Sequence, residues 1–233
     1  MTDGALSTWI ASLPRDWSAA VDAEVFEQAH SAYLSPGRHY HTWEHVVACV
    51  EELRSTSCDN PRVVFLALVF HDAVYVPGAP DNEERSARMA REVLSATGSV
   101  HVDELEAIER MILATKDHRA PPDGASEDEA RLIDIDMGIL AAPRSAYMRY
   151  ARAIQDEWVP VPASEAAFRI GRLEFLRGVL STPHVYLTTA ARDRWDQAAR
   201  DNIAWEIREL TERQSLMERA VSAIRSRVAG RGA

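Results

Sequence analysis

Histidines are concentrated in one short stretch of the chain. RHYHTWEH, at residues 38–45, contains three of the eight histidines among 233 residues. Two of them, His41 and His45, are four residues apart, so a helix would place them on one face about one turn from each other. At that separation both imidazoles could serve one small ligand or one metal ion.

Two further stretches place metal-type ligands inside apolar sequence. His71 and Asp72 directly follow eight apolar residues in VVFLALVFHDAVY, and Asp134 and Asp136 lie among Leu, Ile and Met in LIDIDMGIL. A carboxylate or imidazole in apolar surroundings is costly unless something compensates it, and a divalent cation is one of the few partners that can do so. We therefore expect three buried helices to direct ligands towards one site.

Helices are the elements that would position these residues. Asn60 is a suitable N-cap, followed by Pro61 at the first helical position, and the helix after it is apolar nearly all round. Ser126 and Glu129 form a capping box, S-x-x-E, at the start of the helix that carries the aspartates. No alternating strand bounded by hairpin signals is found, so the predicted fold class is all-α.

The second part of the chain also has helical patterns, in three segments. They cover about residues 147–157, 164–180 and 188–225. The turns between them are too short to be interdomain linkers. We predict a single all-α domain spanning residues 1–233, with a core at about 25–142 and a helical extension at about 143–226.

Composition and charge favour a small substrate. The formal charge of −10 would repel a nucleic-acid backbone, and no basic patch offsets it. Two cysteines are too few for a secreted disulfide framework, which favours the reducing cytoplasm. We expect no export signal and no membrane span, because no stretch of about 18 apolar residues occurs. The sequence leaves the oligomeric state open.

The ligand-type residues resemble a known family. His45, then His71-Asp72, then Asp136 is similar to the H…HD…D signature of the HD superfamily of metal-dependent phosphohydrolases, with separations of 26 and 64 residues. The resemblance covers about residues 25–142, and its nearest form is a bacterial branch of mostly unassigned substrate. It implies an HD-type helical bundle in which these four residues bind the metal, with Asp136 preferred over Asp134.

YHTWEH also resembles the YHN-x-x-H stretch of cyclic-nucleotide phosphodiesterases, which share this core. There the later histidine binds metal and the earlier one protonates the leaving group. The resemblance therefore implies that His45 is a ligand and that His41 is the general acid. This chain departs from the HD-x-x-H pattern of those enzymes at Tyr75, so cleavage of cyclic nucleotides is not implied.

A phosphate ester also needs groups that hold it and balance its charge. The candidate substrate-binding residues are Arg38, Lys116, His118 and Arg172, and Asp72 is a candidate catalytic residue as well as a ligand. We expect a phosphohydrolase that acts on a small phosphorylated molecule, including nucleotides, with metal-activated water as the nucleophile. Two imidazoles and two carboxylates suit Mn, Fe, Co, Ni or Zn, and suit Mg less well.

Three alternatives remain open. H-x-x-E-H, with Glu44 as a base, is the pattern of inverted zinc peptidases, although it leaves His71-Asp72 without a purpose. A di-iron oxygenase on the same HD fold would use an additional histidine, such as His118, for a second metal. A non-catalytic helical module that binds a metal or a nucleotide is the third.

Overall fold

The protein is all-helical. The computed structural model describes residues 3–18, 21–119, 125–161 and 164–229, with side chains of the last helix described as far as residue 212. Within these residues there is no β-strand, which confirms the predicted fold class. Eleven α-helices and one 3₁₀ helix are present in the described residues: α1 Asp3–Ser12, α2 Arg15–Ser18, α3 Ala23–Ala32, α4 Trp43–Leu53, α5 Pro61–Phe70, α6 Asn82–Ala96, α7 Val102–Ala114, α8 Glu127–Asp136, the 3₁₀ helix Met137–Ala141, α9 Arg144–Trp158, α10 Glu165–Leu180 and α11 Thr189–Ala229.

Helix α5 is the centre of the first part of the molecule. Every residue from Val63 to Phe70 is buried, and the helix contacts α2, α4, α6, α7 and α8. Its start follows from the sequence, since the Asn60 side chain accepts a hydrogen bond from the Val63 N–H at 3.3 Å and Pro61 occupies the first turn. The predicted central buried helix is confirmed.

Two hydrophobic clusters divide the protein into halves. The core half comprises α1 to α8, and its cluster includes Leu6, Trp9 and Trp17 from α1 and α2. These contacts extend the first core to residues before the predicted boundary at 25. The extension half comprises the 3₁₀ helix and α9 to α11, and its cluster is built around Tyr147 and Leu176.

Polar contacts join the two halves. Both carboxylate oxygens of Asp134 in α8 accept hydrogen bonds from the extension, from the N–H groups of Leu187 at 2.6 Å and Thr188 at 2.8 Å, just before α11. Within the extension half, the Asn202 side chain in α11 donates to the carbonyls of Leu140 and Ala142, both at 2.8 Å. By accepting from the Leu187 and Thr188 N–H groups, Asp134 positions the start of α11 against α8.

The described helices include none that could cross a bilayer, because none combines sufficient length with sufficient apolar character. The longest, α11, carries charged residues along its length.

Candidate metal centre and cavity

Four predicted metal ligands lie together at the point where α4, α5 and α8 meet. His45 Nε2 lies 3.0 Å from Asp136 Oδ1 and 3.2 Å from His71 Nε2, and His71 Nε2 lies 3.1 Å from Asp72 Oδ2. Ligand atoms of His45, His71 and Asp72 all lie within 4.8 Å of one another. We call His45, His71, Asp72 and Asp136 the ligand cluster.

The end of α5 orients one of these ligands. Because the helix ends at Phe70, His71 occupies the C-cap position and its Nδ1–H donates to the Leu68 carbonyl at 2.8 Å. This hydrogen bond fixes the orientation of the ring and directs Nε2 into the cluster, as in metal-binding histidines. The Cys49 sulfur, one turn along α4, lies 3.7 Å from His45 Nδ1.

Electrostatics in the cluster favour ionised carboxylates. Burial raises the pKa of Asp136, but the attraction of His71 and hydrogen bonds from neighbouring histidines outweigh it and hold that pKa well below its usual range. Burial raises the pKa of Asp72 as well, and His71 and His41 reverse the effect. Two partly buried carboxylates facing imidazole nitrogens fit a divalent cation in charge and in donor type.

His41 has a different environment from His45, since it lies outside α4. Thr42 is the N-cap, with extended backbone, and the helix begins at Trp43. The His41 ring stacks on Tyr75 at 4.0 Å, and its Nδ1–H donates to Glu157 Oε2 at 2.7 Å. The two histidines of HTWEH therefore have separate partners.

Glu157, at the end of α9, is a site residue that the sequence analysis did not predict. Its Oε1 accepts hydrogen bonds from three consecutive backbone N–H groups, those of His39 and Tyr40 at 2.7 Å and of His41 at 3.0 Å. Burial raises the pKa of Glu157, but these bonds and the one from the His41 ring lower it to about 2. One carboxylate thus fixes both the loop and the imidazole.

A signal for Glu157 is present in the sequence. Tyr147, Tyr150, Ile154 and Glu157 follow helical spacing and form the buried face of α9. An acidic residue on the apolar face of a helix requires a partner elsewhere in the fold.

The geometry gives no support to a peptidase. Glu44 is exposed and is absent from the lining of the cavity, whereas the ligand His45 points inwards. His41 binds Glu157 and stands outside the cluster of possible metal ligands.

Arg38 has a different environment from the one predicted. Its guanidinium donates at 2.8 Å to the carbonyls of His41, Asp72 and Ala73, and it lies over the Tyr33 ring. It does not line the cavity. These bonds tie the His41 loop to the end of α5, which favours a structural role over the predicted contact with substrate.

A cavity of about 710 Å³ opens over the ligand cluster, between the two halves. His41, Asp72 and Asp136 line it, as do the three other candidate substrate-binding residues Lys116, His118 and Arg172. Such a volume is typical of small-molecule sites.

The lysine and the arginine that the described lining contains are already paired. Arg172 is buried and binds Glu206 through Nε and Nη2 at 2.9 and 3.1 Å. Lys116 binds Glu84 and the Pro80 carbonyl. Their ion pairs with protein carboxylates reduce the charge available for a phosphate.

His118 reaches the ligand cluster from the turn after α7. Its Nε2 lies 3.1 Å from Asp136 Oδ2, and its backbone has a φ of 50°. A histidine in this left-handed conformation is uncommon and is held by its surroundings. His118 therefore contacts the predicted metal ligand Asp136 directly, a contact that the sequence alone does not indicate.

Comparisons with protein-family models, with curated proteins and with solved structures give no match to this chain. Its function is therefore inferred from the side chains of the site.

Proposed function

We propose that the protein is a metal-dependent phosphohydrolase that acts on a small phosphate ester. The observation that carries this proposal is the arrangement of His41, held by Glu157, beside the ligand cluster in the lining of one cavity. A metal centre and an independent proton donor at one cavity suit hydrolysis of an ester with a poor leaving group.

His45, His71, Asp72 and Asp136 would hold the metal. A divalent ion bound there would polarise a phosphoryl oxygen and lower the pKa of water. Two imidazoles with two carboxylates favour Mn, Fe, Co, Ni or Zn over Mg, which prefers oxygen ligands.

His41 supplies the proton that the leaving group requires. Because Nδ1–H donates to Glu157, the Nε2 atom is the one left for substrate. In the proposed reaction water forms a bond to phosphorus, the bond from phosphorus to the ester oxygen breaks, and the His41 Nε2 proton moves to that oxygen. The products are an alcohol and phosphate, and His41 regains a proton from the water through solvent.

Asp72 has a proposed second role in catalysis. It belongs to the ligand cluster and also lines the cavity, so its carboxylate can accept a hydrogen bond from the attacking water. Both cysteines are free thiols, which supports the proposed cytoplasmic location.

Metal analysis combined with a phosphatase assay tests the proposal. Protein purified without chelator should contain about one equivalent of a transition metal, and supplementation with Mn, Fe, Co, Ni or Zn should release phosphate from phenyl phosphate. A matched control is His184→Ala, since His184 is half-exposed and does not line the cavity. Equal turnover by His71→Ala and His184→Ala would refute the proposed function.

His118 supports a second candidate, an HD-fold di-iron oxygenase. Its contact with Asp136 would place a further imidazole where a second ion could bind. Oxygen consumption by the iron-loaded protein, together with about two iron atoms per chain that fall to one in His118→Ala, would favour this candidate over hydrolysis.

A further inference from the structure

The two sides of the cavity differ in chemical character. The core half contributes the ligand cluster and most of the polar lining. The extension half contributes six apolar side chains, which we call the apolar wall: Leu140, Ile154, Trp158, Val161, Phe168 and Phe175. An ester bound with its phosphate at the ligand cluster would place its organic group against this wall.

Charge in the lining disfavours a polyphosphate. Asp72, Glu83, Asp117 and Asp136 are carboxylates of the lining. Lys116 and Arg172 of the lining are already paired with Glu84 and Glu206, and the His41 and His118 rings are bonded to Glu157 and Asp136. One divalent ion compensates the two carboxylates of the ligand cluster, so the additional charges of a triphosphate would lack partners.

Other polar side chains of the lining are bonded within the protein. The Asn82 amide both donates to and accepts from the backbone of Val76, at 3.0 and 2.9 Å. The Thr115 hydroxyl donates to the Ile112 carbonyl at 2.7 Å. A sugar with several hydroxyls would lose water on entry and would regain few hydrogen bonds.

Aromatic rings, by contrast, are abundant. Tyr40 lies between His45 and Tyr150, with ring centroids 4.8 and 4.6 Å apart, so rings continue from the ligand cluster towards the extension. Trp158 and Phe168 follow on the apolar wall. Such surfaces bind planar apolar groups by burial and by stacking.

We infer that the substrate is a phosphate monoester whose alcohol carries an apolar ring, with the ring bound against the apolar wall. This inference rests on the proposed phosphohydrolase function. The carboxylates of the lining disfavour a nucleoside triphosphate, and the internally bonded polar side chains disfavour a sugar phosphate.

Gly171 in α10 provides the means to test the inference. It lines the cavity, and a Cβ added there meets nothing within 4 Å, so the side chain of Gly171→Leu has room to start and would occupy part of the cavity. Gly178 lies in the same helix, outside the lining, and a Cβ there is equally unobstructed. Gly178→Leu is therefore a matched control for the change in helix propensity.

The experiment compares 3-phenylpropyl phosphate, glycerol 3-phosphate and ATP with the metal-loaded protein. We expect kcat/KM for 3-phenylpropyl phosphate to exceed that for each of the others by at least about 10-fold, the scale of burying one ring. Glycerol 3-phosphate and ATP have better leaving groups than 3-phenylpropyl phosphate, so leaving-group chemistry alone would make them the faster substrates. Gly171→Leu should remove most of this difference and Gly178→Leu should preserve it.

Calorimetry with 3-phenylpropylphosphonate, which cannot be hydrolysed, separates binding from chemistry. Binding that weakens about 10-fold in Gly171→Leu supports the inference. Equal or faster hydrolysis of glycerol 3-phosphate or ATP would overturn the inference and leave the phosphohydrolase proposal intact. Tight binding of the phosphonate without hydrolysis of any ester would instead overturn the proposed function, and absence of binding would overturn the inferred ligand class.

Discussion

The two halves of the molecule contribute different chemistry to one cavity. The core half supplies the ligand cluster and His41, whereas the extension half supplies the apolar wall. The residues proposed to cleave the phosphate ester are thus separate from the residues proposed to select its organic group. Changes in α9 and α10 can therefore alter specificity without displacing the ligands.

Each half also provides the other with a carboxylate. Glu157 of the extension accepts hydrogen bonds from three N–H groups of the His41 loop, and Asp134 of the core accepts two from the residues that precede α11. Glu157 additionally binds a side chain of the proposed catalytic machinery, whereas the partners of Asp134, Leu187 and Thr188, lie outside that machinery. This difference predicts a functional effect for Glu157 and a purely structural one for Asp134.

The largest effect is expected from changes to the ligand cluster. Asp136→Ala or His71→Ala removes a donor from a set of four, and we expect metal content to fall below about a tenth of an equivalent and turnover to fall by more than about 100-fold. Elemental analysis and phosphate release measure the two quantities. Retention of metal by both variants would show that the ligand cluster is not the site that holds the metal.

His41→Ala should separate proton donation from metal binding within the core half. Its ring lies outside the possible metal ligands, so we expect unchanged metal content with turnover about 100-fold lower, the usual scale of general acid catalysis. The loss should be smaller for p-nitrophenyl phosphate, whose leaving group needs no proton. A variant that loses metal as well would make His41 a ligand and contradict its proposed role.

Local signals explain why much of the core half could be predicted from sequence. The Asn60 cap with Pro61 and the Ser126–Glu129 capping box both form as expected. The ligand cluster was recognisable because His71 and Asp72 follow a wholly apolar helix, where an uncompensated charge is costly. Helix boundaries and buried polar residues are properties of short segments.

Contacts across the cavity could not be predicted in this way. Glu157 lies 116 residues from His41 along the chain, so only the packing of α9 against the loop brings them together. The proximity of Arg38 to His41 in sequence predicts a contact with substrate. In the structure its guanidinium instead donates to three backbone carbonyls, in the loop and at the end of α5, that have no helical partner. Such partners depend on tertiary structure.

Glu157→Gln tests the contribution of the extension to catalysis. The amide can keep an oxygen for the backbone N–H groups, but its NH₂ would face His41 Nδ1 and cannot accept from the Nδ1–H of the doubly protonated ring that donates the proton. We expect kcat to fall about 10-fold with KM and metal content unchanged. Steady-state kinetics on 3-phenylpropyl phosphate and phenyl phosphate provide the measurement.

The control for Glu157 is the neighbouring Asp156→Asn, because Asp156 pairs with Arg152 on the exposed side of α9. It should leave kcat within about 2-fold, as expected for a surface ion pair. Equal losses in the two variants, or a rise in KM without a fall in kcat, would assign Glu157 to helix packing and not to the position of His41.

Asp134→Asn should give the smallest effect and should distinguish the two aspartates of LIDIDMGIL. Both Asp134 oxygens accept from the Leu187 and Thr188 N–H groups, and one oxygen remains in the amide. Loss of one charge-assisted hydrogen bond beside the start of α11 should lower the free energy of unfolding by about 1–2 kcal/mol. Urea unfolding measures this change, and metal content and kcat should stay at the wild-type level because Asp134 lies outside the ligand cluster.

Asp136→Asn makes the same chemical change two residues further on and should instead reduce metal content. If Asp134→Asn lost the metal and Asp136→Asn kept it, the ligand would be Asp134, and the junction between the halves would itself be part of the metal centre.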